Sequence, residues 1–110
     1  MKILVAEDEI QMNRVLTTAL THEGYDVDSV YDGQAAIDMA NENAYDVMVM
    51  DIMMPVMDGL EAATKIRSCD HPDALIIPIV AMSANAFSDD VQNSLAAGMN
   101  AHVSKPIWTR

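Results

Sequence analysis

Within 110 residues, five short strand-like runs alternate with four amphipathic stretches, and this alternation restricts the possible folds more than any other feature. The runs lie at residues 3–6, 25–30, 46–50, 75–82 and 101–104. In the third, Val47, Met48, Val49 and Met50 are apolar without alternation, the pattern of a strand covered on both faces, as in parallel sheets. Between the runs, apolar residues recur at helical steps: Met12, Val15, Leu16, Ala19 and Leu20, then Ala36, Ile37 and Ala40, then Leu60, Ala63 and Ile66, then Val91, Leu95 and Ala96. Gly24 and Gly98 close the first and last of these helices, and Asp32-Gly33 and Asp58-Gly59 precede the middle two. Pro78 removes one ladder hydrogen bond from the fourth run. Connections of this length join parallel strands by crossovers, so the expected fold is α/β, a doubly wound five-stranded parallel sheet.

The length suits one domain with a single core. A formal net charge of −11 argues against a nucleic-acid-binding surface, which needs clustered Lys and Arg, and favours recruitment of cations. No apolar run approaches the roughly 20 residues of a membrane span, so a soluble, cytoplasmic protein is expected. The single cysteine, Cys69, has no internal disulfide partner and is expected to be a small helix-end residue. His22 and His71 have no ligand-like spacing and are expected at the surface, and Asp58 reads as a turn or cap residue.

Chemistry gathers where the strands end. In open α/β sheets the ligand crevice lies outside the carboxyl ends of the strands. There the chain places Glu7 and Asp8, Asp51, Ser83 and Lys105. Clustered carboxylates repel one another, and their hard oxygens suit Mg²⁺, which is commonly bound by one or two carboxylates plus phosphate oxygens. A metal alone would leave Ser83 and Lys105 unexplained. A phosphoryl group accepts bonds from a cation, a hydroxyl and an ammonium while a carboxylate oxygen attacks phosphorus in line, and Asp51, ending the middle strand, is the best-placed nucleophile.

These residues and spacings resemble the receiver domain of bacterial two-component response regulators from Lys2 to Ile107. The signatures are the acidic pair in V-A-E-D, the box D-I-M-M-P-V-M-D-G, the serine in A-M-S-A, and G-M-N-A-H-V-S-K-P-I. The resemblance implies the flavodoxin-like strand order 2-1-3-4-5. It implies that Asp51 accepts a phosphoryl group from a phosphohistidine on a sensor histidine kinase or histidine phosphotransfer protein. The chain would be a signalling switch that catalyses its own phosphorylation and dephosphorylation rather than an enzyme in its own right. Asp8 and Asp51 would bind Mg²⁺ directly, with the Met53 backbone carbonyl as a further ligand and Glu7 acting partly through water. Ser83 and Lys105 would contact the phosphoryl oxygens, and movement of Ser83 would reshape a surface around the fourth helix and fifth strand that a downstream effector reads.

Departures from the family pattern set further expectations. Three residues before Lys105, where receivers usually carry Tyr or Phe as a gate, stands His102, either a swinging imidazole or a passive side chain. Glu7 replaces the commoner Asp, and Met53 and Asn85 flank the phosphoryl position. Ile107, Trp108, Thr109 and Arg110 are too few for the fifth helix with which receivers close, so the domain, residues 1–110, is expected to be incomplete at its C-terminus. The sheet face left uncovered then implies a homodimer or reduced stability. Met1 just before the first strand suggests a free-standing or N-terminal receiver, whereas A-N-A-F and the last motif look more like receivers of hybrid histidine kinases. A flavodoxin-like flavin site is excluded because Glu7, Asp8 and Glu9 would repel a phosphate in the first loop. A haloacid-dehalogenase-type phosphatase is excluded because Met53 stands where its second acid belongs. A receiver used only as an unphosphorylated docking module is the remaining alternative.

Overall fold

A computed structural model describes residues 1–54, 57–69, 71–83 and 88–104. The elements alternate throughout: β1 (Lys2–Ala6), α1 (Ile10–His22), β2 (Asp26–Val30), α2 (Gly33–Glu42), β3 (Val47–Asp51), α3 (Gly59–Arg67), β4 (Ile79–Ser83), α4 (Ser88–Ala96) and β5 (Ala101–Ser104). All strand pairs are parallel, in the order β2-β1-β3-β4-β5. The fold class and strand order are therefore those expected.

The registers explain how the apolar runs divide. Leu4 pairs with Met48 and Ala6 with Met50, while Met48 pairs with Ile79 and Met50 with Ala81, so these side chains share one face. They form the larger core with Ala36 and Ala40 of α2 and Ala62, Ala63 and Ile66 of α3. Small residues on both helices let them sit close to the sheet. The intervening positions Ile3, Val5 and Met82 point to the opposite face and pack with Leu16 of α1. Leu4, Met48, Met50, Ile79 and Met82 are fully enclosed, each worth roughly 1.5–3 kcal/mol over an exposed position.

Two helix stripes differ from the expected ones. In α1 the buried residues are Asn13 and Leu16, whereas Val15 is 45% exposed and Ala19 also faces outward. In α4, Ser94 is buried and Leu95 is 55% exposed. Both helices are thus rotated so that a polar side chain is buried, and in α1 that polar residue has backbone work to do at the site. The fourth strand also starts later than its apolar run. Leu75 and Ile76 lie exposed in a turn held by amides of Ile76 and Ile77 donating to Asp73 O at 3.0 and 2.9 Å. Pro78, lacking an N–H, stands just outside β4, although its carbonyl accepts from Met48 N at 2.9 Å.

Arg67 ties the carboxyl end of α3 to the approaches of β4 and β5. Its guanidinium donates to Ala74 O and Ile77 O at 3.1 and 2.7 Å, to Gly98 O at 2.9 and 2.7 Å, and to Asn100 Oδ1 at 2.8 Å. Asn100 Oδ1 also accepts from Ile79 N at 2.8 Å, so one fork fixes the entry of both strands. Burial lowers the Arg67 pKa from its ordinary value. Gly98, with φ of 95°, and Gly24, with φ of 97°, close α4 and α1 as their positions in the sequence predict. Residues 107–110, on which the expectation of a missing fifth helix rests, lie outside the described residues.

Candidate phosphoryl and metal site

Strand order fixes where a site can form. The chain leaves β1 for β2 on one side and leaves β3 for β4 on the other, so a crevice opens between the carboxyl ends of β1 and β3. Glu7 and Asp8 follow β1 and Asp51 is the last residue of β3. Carboxylate oxygens from the three lie within 4.8 Å of one another. Glu7 is wholly enclosed and Asp51 is 2% exposed, while Asp8 is open to solvent. One acid of this triad is therefore accessible and two are held in the protein.

Each buried acid is oriented by backbone. Glu7 Oε2 accepts from Glu9 N at 3.0 Å, and Asp51 Oδ1 accepts from Met53 N at 3.0 Å. These two-residue side-chain turns leave the local amides pointing at the carboxylates rather than along a strand. Met53 itself is 74% exposed at the mouth of the loop. The loop after Asp51 is seated by two glycines. A Cβ on Gly59 would meet Asp51 O at 2.3 Å, and one on Gly33 would meet Met57 O at 2.2 Å, so backbone passes where a side chain would stand. Asp58 caps α3, its Oδ1 accepting from Glu61 N at 2.9 Å, as its reading as a cap anticipates.

Asn13 is a site-supporting residue that the periodicity of α1 does not reveal. Its Nδ2 donates to Glu7 O and to Val30 O, both at 3.0 Å, and its Oδ1 accepts from Thr17 Oγ1 at 3.2 Å. It staples the end of β1 to the end of β2 beneath the acids. A polar residue three before Leu16 and seven before Leu20 is the trace it leaves in the sequence.

Ser83 ends β4 and is 3% exposed. The two strands are joined at this level, since Ile52 N donates to Met82 O at 2.8 Å. Ser83 Oγ lies 2.9 Å from His102 Nε2 on β5, a hydrogen bond whose direction follows the ring tautomer. Asn85 and Lys105 lie outside the described residues. His22 is exposed and His71 half-buried, with Nδ1 accepting from Asp73 N at 3.0 Å.

Comparison with known proteins accords with this geometry. The family model for the response regulator receiver domain matches residues 3–110. The chain belongs to the response regulator receiver family. Among curated relatives, this receiver is 38% identical over 111 residues to hybrid signal transduction histidine kinase I of Dictyostelium discoideum, covering 96% of the chain and 6% of the kinase. It is 37% identical over 106 residues to the response regulator ArlR of Staphylococcus aureus, covering 96% of the chain and 46% of that protein. The receiver thus spans less than half the length of either relative.

Solved structures give the same assignment. The receiver domain of a sensor histidine kinase from Pseudomonas aeruginosa PAO1, solved with magnesium coordinated in its active-site cleft, is 38% identical with a TM-score of 0.88, covering 96% of this chain and 85% of that one. The chemotaxis protein CheY4 of Vibrio cholerae is 27% identical with a TM-score of 0.90, covering 96% and 87%. The receiver of Saccharomyces cerevisiae Ssk1, solved with the histidine phosphotransfer protein Ypd1, is 25% identical with a TM-score of 0.87, covering 96% and 79%. This chain is accordingly a receiver domain of two-component signalling, a family in which phosphoryl transfer to an aspartate is typical. Among the described residues no helix is long and apolar enough to cross a membrane.

Proposed function

We propose that Asp51 is the phosphoacceptor and that Glu7, Asp8, Asp51 and the Met53 backbone carbonyl form a Mg²⁺ site beside it. The observation that carries this reading is the convergence of three carboxylates within 4.8 Å at the carboxyl ends of β1 and β3. The donor set fits the ion: hard oxygens only, with the open Asp8 leaving room for the waters Mg²⁺ retains. When bound, Mg²⁺ neutralises the phosphoryl oxygens and the nucleophile's own charge.

The step itself needs little from the protein beyond placement. An Asp51 oxygen attacks phosphorus, the P–N bond of a partner's phosphohistidine breaks, and the bonding pair leaves with the imidazole. The Met53 amide fixes the carboxylate for in-line approach, and enclosure of Asp51 limits competing water. Ser83 donates its hydroxyl to a phosphoryl oxygen, and Lys105, outside the described residues, supplies the ammonium. Attack of water on the phosphorus then breaks its bond to the Asp51 oxygen, releasing inorganic phosphate and the free carboxylate, so the domain catalyses both its labelling and its loss of label.

The phosphodonor partner is a sensor histidine kinase or a histidine phosphotransfer protein, and a downstream effector reads the α4–β5 surface. Homodimerisation belongs to the same proposal: on the α1 side of the sheet Val47, Val49 and Val103 are only half-buried. Sedimentation of the chain with and without the phosphodonor reads it, and a monomer under both conditions overturns it.

The phosphoacceptor reading is tested with acetyl phosphate and Mg²⁺. One hydroxylamine-sensitive phosphoryl group per chain is expected, absent without Mg²⁺ and absent in Asp51→Asn. A label that survives in Asp51→Asn contradicts the assignment.

A further inference from the structure

The two halves of the acidic site are joined through the first turn of α2. On one side, Val30 O at the end of β2 accepts from Glu7 N at 3.1 Å and from Asn13 Nδ2 at 3.0 Å, so the backbone carrying Glu7 and Asp8 is bonded to the strand that leads into α2. Three residues on, Gly33 is buried as the first residue of α2, behind an Asp32 cap whose Oδ1 accepts from Ala35 N at 2.8 Å. On the other side, the chain that leaves Asp51 passes over Gly33 so closely that a Cβ there would overlap Met57 O and stand 3.0 Å from Met57 C and 3.1 Å from Met57 Cβ. That loop is closed at its base by Gly59 N donating to Ile52 O at 2.9 Å, and at its start Met53 N holds Asp51 Oδ1. Backbone contacts therefore run from Glu7 through Val30 and Gly33 to Met57, and from there back to Asp51.

Glycine does not stand at position 33 for its backbone angles. Gly24 and Gly98 have positive φ and Gly33 does not, and glycine is among the poorest helix formers. What the position requires is the absence of a side chain, a demand made by the loop after β3 rather than by α2.

We propose that Gly33 is a positioning residue for the metal site: by letting Met57 rest on the first turn of α2, it sets where Asp51 and the Met53 carbonyl stand relative to Glu7 and Asp8. This rests on the reading of those four groups as the Mg²⁺ site. Mg²⁺ demands near-ideal octahedral geometry at about 2.0–2.1 Å, whereas Ca²⁺ accepts about six to eight oxygens at about 2.3–2.6 Å in flexible arrangements. A small displacement of the loop, in whichever direction, therefore penalises Mg²⁺ more than Ca²⁺. Gly33 thus governs which cation the site prefers, apart from anything it does for folding.

The test titrates the intact ¹⁵N-labelled chain separately with Mg²⁺ and Ca²⁺ and reads each Kd from the amide signals of Asp51 and Met53. Gly33→Ala is expected to lower the ratio of the Ca²⁺ Kd to the Mg²⁺ Kd about tenfold, the lower end of what losing a support around a metal ligand costs. Ala40→Gly is the comparison, because Ala40 is buried in the same core near the other end of the same helix and its replacement weakens α2 itself. Its ratio is expected to stay at the wild-type value. An unchanged ratio in Gly33→Ala, or an equal fall in Ala40→Gly, overturns the proposal. A wild-type chain whose Asp51 and Met53 amides ignore Mg²⁺ overturns the metal site itself, and the proposal with it.

A second measurement needs no variant. In the wild-type Mg²⁺ titration the amides of Gly33 and Met57 are expected to shift with the Kd read at Met53, while that of Ala40 stays still. Gly33 and Met57 signals that do not move while Met53 responds overturn the proposal, and this readout decides it if Gly33→Ala does not fold.

Discussion

Asn13 binds the carbonyl of Glu7 with the same amide nitrogen that binds Val30 O, each at 3.0 Å, and is itself 1% exposed. The metal-site acid and the neighbouring strand are therefore tied through one buried side chain. Removing it takes a donor from both carbonyls; Val30 O keeps the Glu7 amide at 3.1 Å, and a buried group left unsatisfied costs about 1–3 kcal/mol.

Asn13→Ala is accordingly expected to destabilise the fold by about 1–3 kcal/mol and to weaken Mg²⁺ binding. Urea melts give the first quantity and a Mg²⁺ titration of the melting temperature gives the second. Unchanged stability together with unchanged Mg²⁺ response would show that the staple is dispensable.

Gly59→Ala is expected to displace the backbone after Asp51, because the new Cβ meets Asp51 O at 2.3 Å. Backbone cannot yield as a flexible side chain would. The variant should lose about 1–3 kcal/mol of stability and be labelled by acetyl phosphate at least tenfold more slowly. Labelling at the wild-type rate would mean that the loop accommodates the methyl group.

Mg²⁺ is expected to raise the melting temperature, since a ligand that prefers the folded chain stabilises it by mass action, about 2.7 kcal/mol at a hundredfold excess over Kd. Asp8→Asn should abolish most of this shift while leaving the metal-free protein at least as stable, because it removes a charge from a cluster of three. Differential scanning calorimetry across a Mg²⁺ series checks both. No shift in wild type would argue against the metal site.

Tyr45 provides the pH-dependent element. Burial, and then its 2.7 Å bond to Asp28, hold the phenol well above the usual tyrosine range. The folded chain keeps this proton where the unfolded chain begins to lose it, at about pH 10. The contribution is therefore complete below that pH and declines as pH rises through and beyond it. Tyr45→Phe is expected to cost about 1 kcal/mol near neutrality, discounted because Asp28 is one-third exposed, and to lose stability less steeply above pH 10. Parallel slopes for the two proteins in alkaline melts would contradict this.

The alternation of runs made the sheet legible because period and length both report burial. The place of Asp51 at the end of β3 was legible for the same reason, as the acid on which an apolar run without alternation stops. What escaped were relations that need register or rotation. Asn13 looks like a surface polar residue until α1 is turned so that Val15 faces outward. The start of β4 was hidden because Leu75 and Ile76 are as apolar as the strand, and only Pro78 marks the boundary. His102 was visible as a departure, yet its bond to Ser83 depends on Ala81 pairing with it, which no local pattern encodes. The expected contribution of Lys105 falls outside the described residues.

The central claim is that the phosphoryl group resides on Asp51. Borohydride reduces an acyl phosphate to the alcohol, converting a phosphorylated aspartate to homoserine, and peptide mass spectrometry then locates the change. After treatment with acetyl phosphate and Mg²⁺, homoserine is predicted at position 51 and nowhere else. Homoserine at Asp8, the reduced product of Glu7, or no reduction at all would contradict the account.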